Sequence, residues 1–243
     1  MDPERPLGSH FEELRKRLVV SFVFFIIAAA VSFNYSSFLF GVLKRPMNGV
    51  VDKLVFFSPT EALAVYLNIS FAAGLMLSMP FLLYQVWKFV EPAVSGRLKS
   101  GPLLFVAFVT ASFVSGALFS YFLLIPPALK FLLGFAGPDL QPMISAQSYI
   151  SFIVWTVLGT GLVFEMPVLS YVLGRLGILD HRFLRKKYRY AIVGILVTAA
   201  IITPTPDIFN MLLFAAPMLA LYELSIWVAR FAGRARAKDG INK

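Results

Sequence analysis

Residues 182–238 read RFLRKKYRYAIVGILVTAAIITPTPDIFNMLLFAAPMLALYELSIWVARFAGRARAK. Two apolar stretches, 190–202 and 208–231, are separated by Thr203-Pro204-Thr205-Pro206. Arg182, Arg185, Lys186, Lys187 and Arg189 precede the pair, and Arg230, Arg234, Arg236 and Lys238 follow it. Basic residues beside membrane segments accumulate on the cytoplasmic side, so both flanks belong on one side. That requires either two crossings or a re-entrant hairpin. Two crossings are favoured, the first one short, since residues 190–202 at ~1.5 Å each do not fill a ~30 Å hydrocarbon core.

Four further apolar runs lie upstream, at about 18–40, 62–90, 103–125 and 148–173. Each meets the length of a spanning helix. The second is long enough to tilt, and Pro80 gives it a reason to kink. Of the 22 Lys and Arg, 18 fall in the N-terminus, at 88–102, at 174–189 or in the tail from Arg230; Lys44, Arg45, Lys53 and Lys130 fall on the opposite side. The sequence therefore predicts an all-α integral membrane protein with six transmembrane helices, N-in and C-in, the fifth short. One membrane domain covers 1–243: an amphipathic N-terminus (1–17), a six-helix bundle (18–231) and a basic tail (232–243).

Composition agrees. Apolar residues make up 58%, charged residues 14%, and Phe occurs 25 times, too little charge to cover a surface in water. The net charge of +9 sits in short clusters between apolar runs, a pattern suited to lipid headgroups rather than nucleic acid. Cys is absent, which excludes disulfides, thiolate metal sites and a cysteine nucleophile. Arg15-Lys16-Arg17, an apolar run and Ala28-Ala29-Ala30 imitate a secretory signal. The run continues through Val31 and Phe33, so it reads as the first membrane helix. Helix starts are predicted at the capping boxes Ser9-His10-Phe11-Glu12 and Ser58-Pro59-Thr60-Glu61, and at Thr205-Pro206-Asp207.

Glu165 lies inside the fourth span, where a charge costs about 2.5–3.5 kcal/mol on insertion scales. It is either a neutral carboxyl bonding a neighbouring helix or a polar site on a concave protein face. Glu223 is nearer a helix end, where snorkelling or an ion pair accounts for it. In the N-terminal segment, Glu12–Lys16 and Glu13–Arg17 are favourable i,i+4 pairs. They suit a solvated helix, and a carboxylate there could equally grip guanidinium groups. Gln85 lies deeper than Trp87 and Lys88 and needs a hydrogen-bond partner, while Trp87 and Lys88 suit an interface belt. No H-E-x-x-H, G-x-S-x-G or P-loop occurs, and His10 and His181 lie outside the spans, so neither catalysis nor a cofactor is expected. A proton-coupled solute transporter using Glu165, or a protease using Glu165 and Glu223, remain rival readings. The lack of an internal repeat weakens the transporter.

A set of short motifs occurs in order along the chain: His10-Phe11-Glu12-Glu13-Leu14-Arg15-Lys16-Arg17-Leu18, Pro46, Leu83-Tyr84-Gln85-Val86-Trp87-Lys88-Phe89-Val90-Glu91-Pro92-Ala93, Phe164-Glu165-Met166-Pro167, Thr205-Pro206-Asp207 and Leu221-Tyr222-Glu223. With them the chain resembles the C subunit of the twin-arginine protein translocase, the TatC family. The resemblance implies a curved, glove-like bundle in a bacterial or archaeal cytoplasmic (inner) membrane. It implies a core receptor for signal peptides with paired arginines on folded precursors, driven by proton-motive force and assembling with TatA- and TatB-type single-span subunits in a multimeric complex. By position, Glu13 would accept guanidinium groups and Arg15 would orient the site. Gln85, Phe89 and Glu91 would adjoin it, and Glu165 would be the polar group of the concave face. Pro46 would belong to the external cap, Asp207 to the last external turn, and Glu223 to a partner-facing surface. The family usually carries a glutamate in the first cytoplasmic loop; here that stretch is Ser95-Gly96-Arg97-Leu98-Lys99.

Overall fold

The computed structural model describes residues 7–47, 54–94, 102–134, 143–203 and 207–241, with side chains described over 12–47, 54–89, 103–134, 143–203 and 207–234. The elements are α1 (Leu7–Asn34), α2 (Ser36–Lys44) with a 3-10 turn (Arg45–Met47), α3 (Pro59–Val94), α4 (Pro102–Phe119), a π turn (Ser120–Leu124), α5 (Ile125–Gly134), α6 (Ala146–Val163), α7 (Met166–Leu176), α8 (His181–Lys186), α9 (Tyr188–Ile202) and α10 (Ile208–Ile241). Five passes are long and apolar enough to cross a bilayer, and α9 is the sixth and shorter one.

Several boundaries differ from the sequence expectation. Ser9 lies inside α1, which starts at Leu7, so the first capping box does not mark the helix start. The first apolar run is not one span: α1 ends at Asn34, and Tyr35 opens the turn into α2. Ser32 and Asn34 bond back to the Ala28 and Ala30 carbonyls, competing with the helix ladder near its end. The third pass continues to Gly134 despite Pro126 and Pro127. These prolines lack the N–H groups due to Phe122 and Leu123, and the π turn takes up the mismatch, with the Ile125 N–H reaching Ser120 O. The fourth pass breaks at Phe164-Glu165. Pro167 removes the N–H due to the Val163 carbonyl, and Ser112 Oγ on α4 donates to the Phe164 carbonyl at 2.7 Å. By contrast α3 runs unbroken through Pro80 for 36 residues, about 54 Å of helix. The amphipathic N-terminus is continuous with the first pass, and α10 extends through the basic tail to Ile241.

Side-chain contacts fix which ends meet. Arg17 of α1 touches Gln85 of α3. Trp87 packs on Phe105 of α4 with tilted rings whose centroids are 4.1 Å apart, and Leu176 of α7 packs on the same cluster. A Cβ on Gly174 would come within 3.0 Å of the Ala232 side chain. The start of α1 and the end of α10 therefore share one end of the bundle. At the other end Tyr121 and Tyr149 donate to the Val42 and Leu43 carbonyls at 2.6 and 2.9 Å, pinning the turn that holds half-buried Pro46. The Glu61 carboxylate there accepts from Phe57 N (2.8 Å), from Gln147 N (3.1 Å) and from Ser145 Oγ. Val55 pairs with the backbone of Ile144 and Ala146 beside it. The second capping box thus acts as a clasp between two loops as well as a helix cap. Asp207 caps α10 as expected, accepting from Asn210 N at 2.7 Å.

The core gathers round α6, where Ile150 and Ile153 are fully buried. Along α1 the packing is one-sided: a Cβ on Gly74 of α3 would lie 2.5 Å from Ala29 Cα, the close backbone approach that small residues permit in membranes. The outward face carries Leu18, Val19, Phe22, Val23, Ile26 and Ile27, a surface fitted to lipid.

Candidate functional site

Two of the expected residues, Glu13 and Gln85, are brought together through Arg17 where α1 begins and α3 ends. Glu13 and Arg17 are one turn apart in α1, so their side chains face the same way. Arg17 Nε donates to Glu13 Oε1 at 3.1 Å, and Nη2 donates to the same oxygen. The remaining Nη1 lies 3.4 Å from Gln85 Oε1. One guanidinium is thus held by a carboxylate from α1 and an amide oxygen from α3. Gln85 finds the partner its depth demanded. Of the two predicted i,i+4 pairs, this one is formed.

Phe89, one turn beyond Gln85, is 39% exposed at the end of α3. Arg15 is exposed on α1 and turned away from Glu13, since two residues rotate a helix by about 200°. Lys88 lies over the Tyr84 ring at 5.7 Å. Trp87 is not an interface anchor: it is buried against Phe105 and Leu176, because its face of α3 turns toward α4. Glu91 belongs to the last turn of α3, but its side chain lies outside the described residues, as does the stretch 95–99.

The other candidates stand apart. Glu165 is 8% exposed at the break between α6 and α7. Its carboxyl faces the Phe113 backbone, yet neither oxygen has a hydrogen bond of good geometry. Glu223 is ion-paired, its Oε1 3.1 Å from Arg185 Nη1. Arg17 itself was legible only as half of a local pair, because Gln85 is distant in sequence.

The family model for the Sec-independent protein translocase protein TatC matches residues 9–217. The chain belongs to the TatC family. The Sec-independent protein translocase protein TatC of Carboxydothermus hydrogenoformans is 37% identical over 95% of both chains. That of Aquifex aeolicus is 39% identical over 94% of this chain and 96% of the relative. A crystal structure of a twin-arginine translocase receptor, TatC, superposes with a TM-score of 0.83 at 37% identity, covering 92% of this chain and 99% of that one. TatC is a component of a protein translocase and not an enzyme, which favours export over the solute-transport and protease readings. Among the described residues no His, Asp and Glu cluster is arranged to hold a metal.

Proposed function

We propose that this chain is the receptor and core subunit of a twin-arginine export system, and that Glu13, Arg15, Gln85, Phe89 and Glu91 form its signal-peptide site. The observation that carries the reading is the guanidinium of Arg17 held between Glu13 and Gln85. A carboxylate and an amide oxygen placed to hold one guanidinium are the chemistry needed for an arginine of a signal peptide. Phe89, exposed beside them, offers an apolar contact to the hydrophobic stretch that follows the arginines.

The charge bias supports a cytoplasmic position for the end bearing Glu13 and α8, with both termini there, in the cytoplasmic membrane of a bacterium or archaeon. Pro46 and Asp207 then lie on the external side. Glu165 is the polar group of the face that receives the precursor. The exposed flanks of α9 and α10 are the docking surface for TatA- and TatB-type subunits, Glu223 marking its inner edge, in a multimeric complex driven by proton-motive force. The whole of 1–243 works as one membrane domain.

The test is a pull-down of detergent-solubilised chain with a twin-arginine precursor, beside the same precursor carrying two lysines. Selective capture of the arginine form, lost in Glu13→Ala, supports the receptor reading. Equal capture of both forms, or none of either, defeats it.

A further inference from the structure

Away from that site, α8 and α10 enclose a groove of about 560 Å³ at the same end of the bundle. Arg182, Arg185 and Lys186 enter from α8 and Arg230 from α10, above a floor of Ile226 and Trp227. We propose that this groove is a binding site for the phosphodiester headgroup of an anionic phospholipid.

Three observations carry the assignment. The first is uncompensated charge. The neighbouring acids are engaged: Glu223 pairs with Arg185, and Asp180 with His181 at 2.7 Å. Among the described residues Arg182, Lys186 and Arg230 have no acidic partner. A loop that merely obeys the charge bias can scatter its cations, whereas these converge on one concavity. Basic pockets between membrane helices are the sites where phosphate headgroups settle, and guanidinium groups match phosphate bidentately.

The second is depth. Trp227 and Arg230 fall in the last turns of the apolar part of α10, which ends at Arg234. Trp227 is 55% exposed, and an indole there lies at headgroup level. Tyr190, 72% exposed and covered by Lys187 at 5.0 Å, marks the same level on α9. A lipid with its phosphate on the arginines would lay its glycerol and upper chains against Trp227 and Ile226.

The third is rigidity. α8 has only six residues, yet Asp180 caps its start, and the Tyr222 hydroxyl donates to the Leu184 carbonyl at 2.9 Å. These contacts hold the cations over α10 before any ligand arrives, which lowers the ordering cost of binding.

The experiment titrates the purified full chain in uncharged detergent with short-chain phosphatidylglycerol, with phosphatidylcholine and with inorganic phosphate, following tryptophan fluorescence. The expected result is a saturable change with phosphatidylglycerol that is absent in Trp227→Phe. Phosphatidylcholine should give none, and inorganic phosphate at equal concentration should not displace the lipid. Raising salt from about 50 to about 500 mM should weaken binding of the unmodified chain severalfold. The Arg182→Gln/Arg230→Gln variant should bind about tenfold or more weakly, and Glu13→Gln should leave the lipid response intact. An equal response to phosphatidylcholine, displacement by free phosphate, indifference to salt, or a signal that survives Trp227→Phe would each overturn the proposal. The salt and lipid-class arms use the unmodified chain and decide the matter even if the double variant does not fold.

Discussion

The Glu61 carboxylate accepts the backbone N–H of Gln147 at 3.1 Å, across 86 residues of chain. With Phe57 N and Ser145 Oγ on the same carboxylate, it satisfies free donors at the head of α6 and ties that helix to α3. Replacing Glu61 by Ala should loosen both loops together. Amide exchange at Val55, Ala146 and Gln147 should accelerate and the melting temperature should fall, while the helix interiors stay protected. Unchanged exchange at Gln147 would show the clasp to be idle.

In the proposed receptor site, Arg17 and an incoming arginine would compete for the Glu13 carboxylate. Arg17→Gln should therefore raise affinity for a twin-arginine signal peptide by about 2- to 5-fold, the worth of a part-exposed ion pair. Glu13→Gln should lower it by at least as much. Fluorescence anisotropy of a labelled peptide reads both, and a fall in the Arg17 variant would mean that Arg17 positions Glu13 rather than blocking it.

The break at Phe164-Glu165 rests on Ser112. Ser112→Ala should cost about 0.5–1.5 kcal/mol, an ordinary hydrogen bond. Ser115→Ala, whose hydroxyl only bonds back to Ala111 in its own exposed helix turn, should stay within about 0.5 kcal/mol. Unfolding in graded denaturing detergent compares them.

Glu165 should oppose stability. A buried carboxyl without a hydrogen bond is destabilising by about 1–3 kcal/mol, so Glu165→Leu should unfold at a higher temperature than the unmodified chain. Export of a twin-arginine precursor should nonetheless fall in that variant. A variant that is less stable would place an unseen partner on the carboxyl.

Gly74→Ala should separate α1 from α3, since the new Cβ would meet Ala29 backbone at 2.5 Å; overpacking of this kind costs about 1–3 kcal/mol. Gly194→Ala, with open space around it, should be neutral or gain up to about 1 kcal/mol from helix propensity. Thermal melts should show a lower midpoint for Gly74→Ala and an unchanged or higher one for Gly194→Ala.

The passes were legible because each is an apolar run bounded by charge, and 190–202 announced its shortness by length alone. The breaks were less so. Pro167, Pro126 and Pro80 look alike in sequence, yet the first marks a break, the second follows a π turn and the third lies in unbroken helix. The difference depends on what lies across the interface, such as Ser112 beside the Phe164 carbonyl. At the candidate site the local pair Glu13–Arg17 followed from helical spacing, whereas its junction with Gln85 depends on how α1 and α3 pack. In sequence Glu61 reads as a cap, and its second task is hidden for the same reason: Ser145 and Gln147 lie far along the chain.

The unbroken course of α3 has a mechanical side. Glu61 and Gln85 are 24 positions apart on that one helix, a shaft of about 36 Å, with Pro80 its one weakened joint, five residues short of Gln85. A ligand that shifts the backbone at Gln85, and not its side chain alone, would either flex the shaft at Pro80 or lever Glu61 against the head of α6 at the opposite end of the bundle.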